Sequence, residues 1–122
     1  MRIIVAGWLR YAGDDKTCAA IITGGAEHIL AAREEQGCVA YTWAVDPIDP
    51  GVIQVYEEWE SEEDLLRHFV DPAYAKMRAH LETYELTGFG VRLYGTCGVE
   101  PVYGEDGWPR REIFGVTLED AA

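Results

Sequence analysis

The stretch from Val55 to Phe69, reading VYEEWESEEDLLRHF, constrains the fold of this chain more than any other. Its first half alternates as a strand that ends on an aromatic and acidic edge. Ser61 then offers a hydroxyl to an orphan backbone N–H of a new helix. Glu62, Glu63 and Asp64 follow where the helix dipole favours negative charge. The sequence therefore fixes a strand, a capped helix and the junction between them, with the indole of Trp59 at that junction.

The flanking segments complete a pattern. Residues 2–11 alternate, with Ile3, Val5, Leu9 and Tyr11 on one face and Ile4, Ala6 and Trp8 on the other. Ala12-Gly13-Asp14-Asp15 reads as a turn in which either aspartate caps the next helix. Residues 15–36 carry Cys18, Ile21, Ile22, Ala26, Ile29, Leu30 and Arg33 at helical spacing. Gly24-Gly25 interrupts them at a cost of about 1 kcal/mol each, which predicts a slight kink or a close helix–sheet contact. Gly37 stops that helix. Residues 38–46 and 52–60 read as strands joined by the turn Pro47-Ile48-Asp49-Pro50-Gly51. The helix from Ser61 runs to about Val70. Asp71-Pro72 restarts it with a cap and a first-turn proline, and Gly88 is expected to end it. Residues 89–99 form a fourth strand, with Phe89, Val91 and Leu93 opposite Arg92 and Tyr94.

The order β-α-β-β-α-β is that of an α+β, ferredoxin-like fold with an antiparallel four-stranded sheet. Helices on one face leave the other bare, yet both parities of the strands carry large apolar residues. This pattern predicts a homodimer packed through its sheet faces. Residues 1–99 form the expected domain. Residues 100–122 form an acidic extension whose run Ile113-Phe114-Gly115-Val116-Thr117-Leu118 adds a strand, crosses to a partner or covers a pocket.

At 122 residues, 48% of them hydrophobic, the chain buries one core. Its formal charge of −12 disfavours nucleic acid and anionic membrane surfaces as partners. No apolar run approaches the roughly 18 residues of a membrane span. The start, Met1-Arg2-Ile3-Ile4-Val5, reads as a first strand rather than a secretion signal. Cys18, Cys38 and Cys97 are an odd number without metal-ligand spacing, which suggests a reduced, cytoplasmic protein. His28, His68 and His80 stand alone, so no metal site is expected.

Three segments together resemble a known family: Ile3-Ile4-Val5-Ala6-Gly7, the turn from Asp46 to Gly51, and Val55 to Glu63 with His68-Phe69 following. They are similar to the antibiotic biosynthesis monooxygenase domain, a family of dimeric α+β barrels. Its members include cofactor-free anthrone oxygenases, quinol monooxygenases and haem-degrading enzymes. Trp59, and Arg78 six residues past Pro72, stand where anthrone-oxidising members have a Trp and an Arg. Val55 and Leu65 stand where those members have Asn and Tyr. Haem-degrading members carry a Trp at the place of His68 and a haem-ligating His at the place of Arg78. Quinol-type oxidation is the member activity that these residues match best.

The resemblance implies a cofactor-independent monooxygenase that oxidises a small quinol or polyphenolic aromatic with dioxygen. Such chemistry needs a dry pocket, a base and a group for the developing oxyanion. His68 is the expected base, Arg78 the oxyanion partner and Trp59 the ring-stacking residue. Tyr56, Tyr74, Trp43 and Met77 are expected around the substrate. Each has a purely structural alternative: Trp59, Trp43 and Tyr56 as packing residues, Arg78 and His68 as ordinary helix positions. Glu57 is expected in an ion pair with Arg10 or Arg92, Tyr41 in the sheet core, Cys38 and Cys97 as small buried residues, and Glu34-Glu35 on a helix face. The alternative function is a non-catalytic dimeric small-molecule binder or stress-associated protein, and an isomerase or lyase-like use of the pocket is a third.

Overall fold

The structure, a computed structural model, describes residues 1–118. Strand β1 (Ile3–Tyr11) turns its odd-numbered residues inward, and Ile3, Val5 and Tyr11 are buried. Asp14 accepts the backbone N–H groups of Lys16 and Thr17 at 3.0 and 3.1 Å and so starts α1 (Asp15–Gly24). Gly25 separates α1 from α2 (Ala26–Arg33). A Cβ on Gly24 would lie 2.6 Å from the His80 ring, and one on Gly25 would lie 2.7 Å from the Met77 sulfur. The glycine pair is thus both a break and a close approach, made to another helix and not to the sheet as expected.

Strands β2 (Cys38–Val45) and β3 (Val52–Trp59) form the expected hairpin. Asp46 closes the turn by accepting the N–H groups of Ile48 and Asp49, each at 2.8 Å. Ser61 caps α3 (Glu62–Phe69), accepting the Asp64 N–H at 3.2 Å and donating its own hydroxyl to the Asp64 carboxylate at 2.8 Å. Asp71 caps α4 (Pro72–Leu81) through the Ala73 N–H at 2.9 Å.

The second helix ends earlier than Gly88. The Thr83 hydroxyl donates to the His80 carbonyl at 2.7 Å, taking an acceptor of the last turn. Tyr84 folds back edge-on against Tyr11 and His80. The fourth strand, β4 (Leu86–Gly95), consequently begins and ends earlier than expected.

The sheet order is β2-β3-β1-β4 with every neighbour antiparallel, the ferredoxin-like arrangement. All four helices lie on the face that carries Val5, Tyr41, Val55 and Trp59, and the core forms there. Phe89, Val91 and Leu93 share that face at the β4 edge, but no helix covers them, and Phe89 stays 69% exposed. After Gly95 the chain adds no strand to this sheet among the described residues. It forms its own hairpin of β5 (Glu112–Ile113) and β6 (Val116–Thr117), turned at Phe114 and Gly115. Glu100 anchors it by accepting the Phe114 N–H at 2.8 Å and an Arg110 N–H at 3.1 Å. Cys97 is exposed rather than buried.

Candidate active site

The shortened α4 and the uncovered β4 leave a cavity of about 640 Å³ between them, over β1 and β3. Val5, Leu9, Val55, Met77 and Leu81 make its walls apolar. Tyr41, Trp43 and Tyr74 add aromatic surface, and Glu57 and Arg78 are charged groups on its lining. Apolar walls with a few convergent polar groups are the general form of a small-molecule site.

Glu57 is the most unusual of these groups. Strand parity points it inward with Val55 and Trp59, and it is 93% shielded from solvent, being only 7% exposed. Its carboxylate accepts the indole N–H of Trp59 at 3.1 Å. The expected ion pair does not form, because Arg10 is drawn to Asp49 at the hairpin turn, and no basic side chain bonds Glu57 among the described residues. Burial therefore raises its pKa, and the Trp59 hydrogen bond and the nearby His68 oppose that rise only in part.

His68 lies behind the wall. Its side chain is 2% exposed, and Nδ1 lies 2.9 and 3.0 Å from the two carboxylate oxygens of Glu35. Such a contact places the ring proton on Nδ1. The imidazole rests against the Trp59 indole, with centroids 4.6 Å apart at 31°. Tyr41 and Tyr74 meet it edge-on at 5.6 and 5.5 Å. Glu35 has a raised pKa from its own burial, moderated by the hydrogen bond to His68.

The structure brings Arg78, Tyr74, Trp43 and Met77 onto the cavity wall. It does not bring Trp59, His68 or Tyr56 there. Trp59 has no exposed surface and its N–H is committed to Glu57, which leaves no face for a ligand ring. Tyr56 points to the opposite face of the sheet, beside Ala6 and Thr42. Arg78 is 66% exposed at the cavity mouth; Tyr74 and Glu82 beside it favour its charged form, and its Nε donates to Glu82 at 3.2 Å.

Glu57 and Glu35 are the groups that sequence reasoning placed differently, while Tyr41 lies in the core as expected and also lines the cavity. The parity of Glu57 with Trp59 was a usable signal for the first. The Glu35–His68 contact joins positions 33 apart in the chain and leaves no local trace. Among the described residues no cluster of three or more His, Cys, Asp or Glu side chains could hold a metal ion, and no helix is long and apolar enough to cross a membrane.

This geometry coincides with a family assignment. The family described as antibiotic biosynthesis monooxygenase matches residues 16–80, over half of the sequence, and the chain belongs to that family. Solved structures agree on the fold. A provisional antibiotic biosynthesis monooxygenase from Deinococcus radiodurans superposes with a TM-score of 0.72 at 20% identity, over 84% of this chain and 99% of that one. A second provisional member, from Nitrosomonas europaea, gives 0.68 at 14% identity over 79% and 90%. A protein from Mycobacterium tuberculosis gives 0.69 at 19% identity over 83% and 100%. No curated protein matches the chain.

Proposed function

We propose that this monooxygenase-family chain oxidises a small quinol or polyphenol with dioxygen, without a cofactor, and that Glu57 is its base. One observation carries the reading: an unpaired carboxylate sits on the wall of an apolar cavity large enough for an aromatic ring. Burial lifts its proton affinity toward that of a phenol, which makes it a stronger base than an exposed glutamate.

In this reading Glu57 takes a hydroxyl proton from the quinol. The electron-rich quinolate passes electrons to dioxygen, and a ring carbon bonds to one oxygen atom. The resulting hydroperoxide loses water and leaves a hydroxyquinone, so one atom of dioxygen enters the product and the other leaves as water. Arg78 faces the developing oxyanion from the mouth. Trp43, Tyr74 and Met77 hold the ring. Residues 1–99 are the catalytic unit. A second copy of the chain covers the uncovered sheet surfaces, where Phe89, Leu93 and Tyr94 are exposed. The free thiols of Cys18, Cys38 and Cys97 suit a reducing cytoplasm.

A non-catalytic binder is the second reading, favoured by the engagement of Arg78 with Glu82. Oxygen-electrode assays with hydroquinone and 1,4-dihydroxynaphthalene separate the two. The oxygenase reading expects uptake above the rate without protein, reduced about 10²–10⁴-fold by Glu57→Gln. No uptake above that rate supports the binder, and uptake unchanged by Glu57→Gln removes Glu57 as the base.

A further inference from the structure

We propose that Glu35 is a positioning residue: acting through His68 and Trp59, it sets the orientation and charge of Glu57 without touching the substrate. This rests on the reading of Glu57 as the base.

A continuous run of contacts crosses the interior from Glu35 to Glu57. Glu35 follows α2 at the rim of the core, and its side chain is 13% exposed. Both its oxygens meet His68 Nδ1, at 2.9 and 3.0 Å. Four rings, those of Trp59, Tyr41, Phe69 and Tyr74, surround the imidazole, and the carboxylate is its hydrogen-bonded partner. The carboxylate thereby holds the imidazole against the indole face of Trp59. The edge of that indole presents its N–H to Glu57 at 3.1 Å. The positive charge of His68 favours the ionised form of Glu57.

The remaining groups around Glu57 do not replace this charge. Tyr41 on β2 stays protonated, its pKa pushed up by burial, and so does the Cys38 thiol, pushed up to about 11. Arg78 on α4 and Arg92 on β4 lie along the cavity lining, and neither forms a hydrogen bond to Glu57. His68 lowers the proton affinity of Glu57, while the charge of Glu35 taken alone raises it. The two routes therefore predict opposite signs for removal of Glu35.

The test is a pH titration of the Glu57 carboxyl by ¹³C NMR in glutamate-labelled full-length chain, its signal identified by loss in Glu57→Gln. Glu35→Gln is expected to move the midpoint up by about one pH unit, a tenfold gain in proton affinity. Glu35→Asp restores it in part. In a His68→Phe background, which keeps a ring in the aromatic enclosure, Glu35→Gln no longer raises the midpoint. A midpoint that stays fixed or falls in Glu35→Gln overturns the proposal. The titration needs no substrate, so it stands or fails separately from the oxygen-uptake assay.

Discussion

At the scale of single residues, the site turns on a carboxylate held almost entirely out of water. An unpaired buried acid destabilises a fold when ionised, so Glu57 has a stability signature as well as a chemical one. The sign follows from its raised pKa. A group whose folded-state pKa lies above the unfolded one favours folding most below the unfolded value, and loses that contribution as pH rises through the folded one. Glu57→Gln should therefore raise the melting temperature at pH 7 relative to wild type, with the gain vanishing near pH 3, where both states are protonated. Calorimetry at the two pH values checks this. A variant less stable at pH 7 would mean that the carboxylate is held by a favourable partner after all. The sequence made the inward direction of Glu57 legible, because strand parity alone decides it. It did not reveal that Arg10 would be spent on Asp49, since ion-pair choice depends on where a turn puts its side chains. Nor did it show that Trp59 would be consumed by the interior.

At the scale of elements, caps and glycines were the readable part. Ser61, Asp71 and one of the two candidate aspartates, Asp14, each start the helix expected of them. Their short side chains satisfy backbone donors in a way that depends on only three or four residues. Ser61→Ala should cost about 1 kcal/mol or slightly more, since the hydroxyl also donates to Asp64. Urea denaturation is the appropriate measurement. Gly37 links α2 to β2 with φ +79°, and a Cβ there would lie 2.1 Å from the Asp64 carboxylate. Gly37→Ala should accordingly cost more than Ser61→Ala, roughly 1–3 kcal/mol from backbone strain before the clash is counted. What the pattern could not show is where the second helix ends. Thr83 and Tyr84 leave it through contacts with His80 and Tyr11, and Tyr11 lies far away in the chain. That early exit opens the cavity.

At the scale of the molecule, alternation in every strand and helical spacing between them were enough to specify the ferredoxin-like sheet. The pairing of the tail with itself was not readable, because strands of two residues carry no periodicity. The uncovered β4 edge makes a prediction of its own. Equilibrium sedimentation at micromolar concentration should give a dimer, and Phe89→Glu with Leu93→Glu should shift it toward monomer. A wild-type monomer would mean that these side chains tolerate water unaided. The proposed chemistry is the insertion of oxygen into an aromatic ring held in an acid-bearing apolar cavity. Turnover of hydroquinone under ¹⁸O₂, with mass spectrometry of the product, tests it most directly. The expected product is a hydroxyquinone carrying one ¹⁸O atom, formed more slowly by Glu57→Gln. A product without label, or unlabelled quinone accompanied by hydrogen peroxide, would contradict it.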